Sequence, residues 1–145
     1  MFFETATNNM KPIMSLAAVA AIAGLLVGCT VDGSKNAAST KVTHVNAAEA
    51  AQLVAGKKVV VLDVRTPAEF AGGHIAGAKL IDIGSPDFEQ RLDQLDKSRT
   101  YLVHCRSGAR STRALSTFSK LGFKSVVHLD GGMNAWVKDG QAVQK

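Results

Sequence analysis

The stretch that decides the fold reads Tyr101-Leu102-Val103-His104-Cys105-Arg106-Ser107-Gly108-Ala109-Arg110-Ser111. An apolar run leads to a thiol, then to a short polar loop with a glycine, and then to a helical pattern. This order predicts a strand, a tight loop and a helix, with Cys105 at the end of the strand.

The predicted loop combines a nucleophile with an anion site. The start of a helix points unpaired backbone N–H groups and a positive dipole end toward the loop before it. Arg106 and Arg110 add full positive charge. Such surroundings lower the pKa of a cysteine thiol and favour the nucleophilic thiolate, and they also bind anions. The residues around Cys105 therefore favour covalent chemistry on a small oxyanion, or on the sulfur that it carries.

Working outward, strand and helix signals alternate along the chain. Strands are predicted at Val59–Val64, Ala78–Ile83, Tyr101–His104 and Ser125–Leu129. Helices are predicted after the capping box at Asn46, at Pro67–Phe70, from Ser85 to Leu95, at Ala109–Leu121 and after Gly131-Gly132. This alternation predicts an α/β fold with a mostly parallel central sheet and helices on both faces. Cys105 would lie at the carboxyl end of a strand, where open α/β sheets bind ligands.

The N-terminal part has the features of a targeting segment. Residues 13–27 form an uncharged run behind Lys11, and this run is shorter than the about 20 residues of a membrane-spanning helix. It ends in Leu26-Val27-Gly28-Cys29, which resembles the lipobox of bacterial lipoproteins. We therefore predict a lipoprotein signal peptide over 1–28, a lipidated Cys29 that opens a flexible tether over 29–41, and one domain over 42–145. An uncleaved signal anchor is the alternative, and translation from Met10 would give a more ordinary leader.

Lipidation would hold an otherwise soluble domain on a bacterial membrane, outside the cytoplasm. Thr30 in place of an aspartate after the lipidated residue favours the outer membrane, facing the periplasm. The chain has two cysteines, so lipidation of Cys29 would leave Cys105 without a disulfide partner in a compartment where disulfides form. An unpaired thiol there favours a reactive role.

Composition narrows the function classes. The formal net charge is +5, and no Lys/Arg cluster is interleaved with aromatic residues, so no nucleic-acid partner is predicted. His74 stands alone among glycines, and His44 and His128 carry no pattern. No metal ion or cofactor is therefore expected. The basic balance fits small anionic substrates or anionic lipid headgroups.

Residues 42–145 resemble a single rhodanese domain. Four stretches carry the resemblance: Leu62-Asp63-Val64-Arg65-Thr66-Pro67-Ala68-Glu69-Phe70, Gly73-His74-Ile75-Ala76-Gly77-Ala78, the loop Cys105–Ser111, and Leu129-Asp130-Gly131-Gly132-Met133-Asn134-Ala135-Trp136. The resemblance implies a three-layer fold and sulfurtransferase chemistry. In that chemistry, the donor is a small sulfur-containing anion such as thiosulfate. The acceptor is cyanide or a thiol, and protein partners remain unknown.

The resemblance also implies roles for named residues. Cys105 would be the nucleophile and carry the transferred sulfur as a persulfide. The substrate would be bound by the loop residues that follow, which are Arg106, Ser107, Gly108, Ala109, Arg110 and Ser111. Asp63, Arg65 and Glu69 would support the structure, with Arg65 paired to Glu69. Apart from the resemblance, Asp130 is the one candidate for a general acid near the loop, but Gly131-Gly132 after it favours a turn role.

Two other functions stay open at this point. Phosphatases and arsenate reductases with a related His-Cys-loop-Arg pattern place five residues between cysteine and arginine, whereas four lie between Cys105 and Arg110. The shorter loop favours a sulfur atom over a tetrahedral oxyanion. A non-catalytic module that binds or relays sulfur is the third possibility, and the sequence does not separate it from an enzyme.

Overall fold

The computed structural model describes residues 39–145. Its strands are β1 Lys41–Val45, β2 Val60–Asp63, β3 Lys79–Leu80, β4 Thr100–His104 and β5 Ser125–Leu129. Its helices are α1 Ala47–Ala55, α2 Pro67–Ala71, α3 Phe88–Asp93, α4 Ala109–Lys120 and α5 Gly132–Lys138. The strands form one sheet in the order β1-β5-β4-β2-β3, and every strand pair is parallel. The predicted α/β fold with a parallel central sheet is confirmed.

Helices cover the two faces of the sheet because the central strands are apolar on both sides. On one face, Phe88 and Leu92 of α3 and Phe118 of α4 pack in one core. On the other face, Ala50 of α1 and Trp136 of α5 pack in a second core. The β4–α4 connection thus joins the middle of the sheet to a helix buried on one side. This arrangement fixes the position of Cys105, which lies between them.

The edge strand β1 was not predicted. The predicted tether extended to Lys41, but Lys41 is the first residue of β1 and pairs with Ser125 of β5. Four of the five residues of β1 are exposed, and only Val45 is partly buried. A strand with so little burial lacks the apolar pattern by which strands are predicted.

Helix α3 is shorter than predicted. The prediction began it at Ser85, but the structure has a turn there, in which the Phe88 amide donates to the Ser85 carbonyl at 3.1 Å. The Ser85 hydroxyl also bonds to Asp87. Local hydrogen bonds of this kind compete with helix formation and delay the helix to Phe88.

Several predictions fall on residues that the structure does not describe. The signal peptide over 1–28, the lipidated Cys29 and the tether up to residue 38 lie outside the described residues. Within 39–145, no helix has both the length and the apolar character needed to cross a membrane.

Candidate active site

The loop after β4 is short and tightly bent, and it places Cys105 below the start of α4. Gly108 is the residue before the helix and has φ +94°, a left-handed conformation that glycine adopts without strain. A Cβ added there would lie 3.3 Å from the Gly131 amide nitrogen. The bend therefore depends on glycine for its backbone angle and for the close approach of the loop before α5.

Hydrogen-bond donors surround the sulfur of Cys105. The side chain is 0% exposed. The Gly108 amide donates to Sγ at 3.2 Å, and the Ser111 hydroxyl lies 3.6 Å from it. Burial raises the pKa of the thiol, but hydrogen bonds from Ser111, Ser107 and Gly108 outweigh it and lower the pKa below its usual range. The loop can therefore hold a thiolate, or another anionic sulfur, without a metal ion.

Helix α5 holds the carbonyls of the same loop. Its first amides, those of Met133 and Asn134, donate to the carbonyls of Cys105 (2.9 Å) and Arg106 (3.0 Å). Gly132 permits this contact, because a Cβ on it would lie 2.3 Å from the Cys105 carbonyl oxygen, and its φ is +56°. With the carbonyls fixed in this way, the amide groups of the loop are free to face the sulfur.

Arg110, predicted to bind substrate, is paired with Glu69. Its guanidinium donates two bonds to that carboxylate, Nη1 to Oε2 at 2.8 Å and Nη2 to Oε1 at 2.6 Å. Hydrogen bonding to Arg110 lowers the pKa of Glu69 to about 2. The Glu69 bonds are also the main cause that raises the pKa of Arg110, and the nearby Cys105 adds to it. One guanidinium thus pairs with a carboxylate and also lies near the thiol of Cys105.

The predicted Arg65–Glu69 pair is wrong, because Arg65 pairs with Asp63. Arg65 Nε lies 3.0 and 2.9 Å from the two carboxylate oxygens of Asp63, and Nη2 lies 2.6 Å from Oδ2. Arg65 also donates to the Gly73 carbonyl at 2.8 Å. Both side chains are buried, so the pair must be internal. Glu69 instead accepts from Thr66 in a capping box and from Arg110.

Arg106 lies beside the loop at an open cleft. Arg106 is exposed, and its side chain makes no hydrogen bond or ion pair with any residue in 39–145. The cleft has a volume of about 560 Å³. Its walls are formed by Arg65, Glu69, Gly72, Gly73, Arg106, Met133, Asn134, Val137, Lys138 and Val143. The cleft combines the exposed cation of Arg106, which directly follows Cys105 in the chain, with apolar surface, and it could admit a small anion.

Sequence reasoning missed a chain of side chains behind the loop. Ser111 Oγ lies 2.9 Å from His128 Nε2, and His128 Nδ1 lies 2.9 Å from Asp130 Oδ1. His44 Nδ1 meets the same oxygen at 2.8 Å. Asp130, expected to serve only a turn, therefore joins two histidines. These residues come from β1, from β5 and the turn after it, and from α4, so no single local motif could have indicated them.

One imidazole nitrogen each from His44 and His128 and one carboxylate oxygen of Asp130 lie within 4.8 Å of one another, close enough to ligate one metal ion. Hydrogen bonds account for this spacing, because both imidazoles meet one carboxylate oxygen. We therefore treat the three residues as a hydrogen-bonded cluster.

Comparisons with known proteins agree with this geometry. The family profile described as Rhodanese-like domain matches residues 46–139. The chain is 40% identical over 89 residues to the probable adenylyltransferase/sulfurtransferase MoeZ of Mycobacterium tuberculosis, covering 61% of the chain and 23% of that protein. It is 38% identical over 98 residues to thiosulfate sulfurtransferase 16, chloroplastic, of Arabidopsis thaliana, covering 61% of the chain and 80% of the plant protein.

Solved structures agree as well. The crystal structure of a rhodanese-related protein from Thermoplasma volcanium is similar with a TM-score of 0.64 and 32% identity, covering 70% of this chain and 97% of that one. The chain spans less than a quarter of the mycobacterial relative, so the similarity to that protein concerns one part of it.

Proposed function

The chain belongs to the rhodanese-like domain family, and on that premise we propose that it is a sulfurtransferase. It moves a sulfane sulfur from an anionic donor such as thiosulfate to cyanide or a thiol, through a persulfide on Cys105. One observation carries the proposal: the Cys105 sulfur lies where the Gly108 amide and the Ser111 hydroxyl converge. Donors placed in this way stabilise negative charge on sulfur both before and after transfer.

In the first step, the Cys105 thiolate attacks the outer sulfur of thiosulfate. A new S–S bond forms to Cys105, the S–S bond of thiosulfate breaks, and its electron pair leaves with sulfite. The total charge is conserved, because a thiolate and a dianion become a persulfide anion and a sulfite dianion. Arg106, at the cleft, would meet the sulfonate oxygens as they approach and leave.

In the second step, the acceptor attacks the outer sulfur of the persulfide. The S–S bond breaks, its electron pair returns to Cys105 as thiolate, and cyanide leaves as thiocyanate. The enzyme thus returns to its first state by double displacement. The Gly108 and Ser111 donors lie against Cys105 Sγ, the atom that carries the thiolate charge at the start and at the end of the cycle.

The test is the intact mass of the purified chain after incubation with thiosulfate, beside Cys105→Ser. We expect a gain of one sulfur atom that is absent from the variant and disappears, with release of thiocyanate, when cyanide is added. A folded chain that gains no sulfur from thiosulfate or from organic persulfides contradicts the proposal. A chain that gains sulfur but passes it to neither cyanide nor thiols would instead be a relay or binding module.

We also propose that the protein is attached to a bacterial membrane outside the cytoplasm, through lipid on Cys29. The support is the sequence Leu26-Val27-Gly28-Cys29 behind an uncharged run. Expression of the full chain and of Cys29→Ser tests this. We expect the chain in the detergent phase with the mass of a diacylated N-terminus, and the variant without acyl mass. Equal partition and equal mass of the two would contradict the anchor.

A further inference from the structure

The single proton of the Ser111 hydroxyl has more acceptors than it can serve. Ser111 Oγ lies 2.9 Å from the Gly108 carbonyl, 2.9 Å from His128 Nε2 and 3.6 Å from Cys105 Sγ. A hydroxyl has one proton to donate and two lone pairs with which to accept. The Gly108 carbonyl already accepts from the amide and the hydroxyl of Thr112, each at 2.9 Å, which occupies its two lone pairs. Ser111 therefore supports the sulfur only if the remaining near neighbour, His128 Nε2, does not take its proton.

The surroundings of His128 decide how its ring is used. Nδ1 faces Asp130 Oδ1 at 2.9 Å, and an ionised carboxylate only accepts. Nε2 lies 3.3 Å from the Gly108 carbonyl, which also only accepts. Each ring nitrogen therefore faces an oxygen that can only accept. His128 is 2% exposed, and the carboxylate of Asp130 lies against its ring.

We propose that His128 is a positioning residue for sulfur transfer: its Nε2–H donates to Ser111 Oγ and so directs the Ser111 proton toward Cys105 Sγ. Asp130 holds the ring from behind, and His44 holds Asp130 from the exposed side at 2.8 Å. The inference rests on the proposed function, because its purpose is to support an anionic sulfur. It extends the machinery to three residues outside the loop.

The charged groups that face the ring are few. Asp130 follows the same strand, and His44 on β1 lies with its ring centroid 4.9 Å from that of His128. From α4, the ring meets the hydroxyls of Ser111 and Thr112, the latter at 3.3 Å. Cys105 lies beyond Ser111. With Asp130 on one side and a thiolate beyond Ser111 on the other, a donating ring is the arrangement that these charges favour.

The test is a double-mutant cycle of His128→Phe and Ser111→Ala, read by two measurements on the full chain. The first is the pH midpoint of Cys105 thiolate formation, followed by ultraviolet absorbance and by the rate of alkylation. The second is kcat with thiosulfate and cyanide. We expect each single change to lower kcat about five- to ten-fold, the size of one hydrogen bond, and to raise the midpoint by up to about one pH unit.

The coupling between the two changes is what distinguishes positioning from general damage. If His128 acts through Ser111, His128→Phe has no further effect on kcat or on the midpoint once Ser111 is alanine. Independent, multiplying effects, or a His128→Phe variant with the native midpoint and kcat, would overturn the proposal. The matched control is His74→Phe, since His74 stacks on Phe70 away from the sulfur and should leave the midpoint unchanged.

Asp130→Ala guards against misfolding of the buried variant. Asp130 is exposed, so its loss is tolerated by the fold, and we expect it to move the Cys105 midpoint in the same direction as His128→Phe, by a smaller amount. A folded Asp130→Ala variant with an unchanged midpoint and unchanged kcat would count against the proposal. The thiolate midpoint does not depend on sulfur transfer, so failure of the proposed function and failure of this inference give different results.

Discussion

The carboxyl ends of β2 and β4 are neighbours in the sheet, and both bury polar groups, but they are balanced differently. After β2, the carboxylate of Asp63 is matched by the guanidinium of Arg65, whose remaining bond goes to a carbonyl. After β4, the sulfur of Cys105 is met by donors alone. Burial of charge therefore does not by itself indicate chemistry. What distinguishes the end of β4, where we propose sulfur transfer, is that the buried sulfur has hydrogen-bond donors around it and no neutralising partner.

The largest effect on stability should come from removing one partner of the buried Asp63–Arg65 pair at the end of β2. Asp63→Ala leaves Arg65 buried without its partner, and such a change costs about 3–5 kcal/mol in the free energy of unfolding. Urea unfolding followed by circular dichroism measures it. The control is the double variant Asp63→Leu with Arg65→Met, which removes both charges and should lose less. Equal losses in the two would mean that the pair stabilises the fold by more than mutual neutralisation.

A change at the loop after β4 should alter the rate of sulfur transfer and leave stability unchanged. Arg106→Ala removes a cation at the cleft, and we expect the rate of thiocyanate formation from thiosulfate and cyanide to fall by at most about 10²–10³, the range for one preorganised donor. The free energy of unfolding should stay unchanged, because the residue is exposed. Arg106→Lys keeps the positive charge but cannot donate two parallel hydrogen bonds, so its rate should lie between those of the wild type and Arg106→Ala. If the alanine variant keeps its rate but unfolds more easily, the assignment to substrate is wrong.

Gly132→Ala should affect both the stability of the fold and thiolate formation at Cys105, because the start of α5 packs against the Cys105 carbonyl at Gly132. The left-handed backbone costs about 1–2 kcal/mol for a residue with a Cβ, and the 2.3 Å approach to the Cys105 carbonyl adds to it. We expect a lower unfolding midpoint and a higher pH for thiolate formation. Gly140→Ala is the control, since its φ is +75° but nothing lies within 4 Å of an added Cβ. It should lose stability alone.

The smallest effect is expected at the Glu69–Arg110 pair. The pKa of Glu69 is lowered to about 2, so the pair's contribution to stability is complete above pH 4.5, the ordinary value. It is then lost as the pH falls from 4.5 toward 2. Both side chains are about one-quarter exposed, so salt screens the pair and Glu69→Gln should cost about 0–1 kcal/mol. Unfolding measured against pH should show the wild type losing more than the variant over this interval.

Much of the fold could be predicted because the central strands carry their burial in the sequence. Val60–Asp63 and Tyr101–His104 are apolar on both faces, and the prediction found both strands. β1 escaped because an exposed edge strand is defined by its partner β5 and hardly by its own residues. The same distinction separates strands that pack from strands that only pair.

In the site too, the features formed by one contiguous stretch could be predicted, and the contacts that depend on the folded backbone could not. The loop after Cys105 is one contiguous stretch, so its place at the end of β4 could be predicted. The partner of Arg65 could not, since Glu69 and Asp63 are both near in sequence and only the folded backbone brings Asp63 within 2.6 Å. The cluster of His44, His128 and Asp130 joins two strands that are distant in the chain. Sequence spacing carries no information about such a contact.

The contact between α5 and the loop after β4 also determines when the loop can take its final shape. The loop carbonyls receive their bonds from Met133 and Asn134, and the first strand pairs with β5, both long-range contacts. A chain synthesised from its N-terminus cannot close its sheet or shape its loop until these late residues have emerged. Such distant pairings also form slowly. The Cys105 loop therefore reaches its final shape only after Met133 and Asn134 have been synthesised.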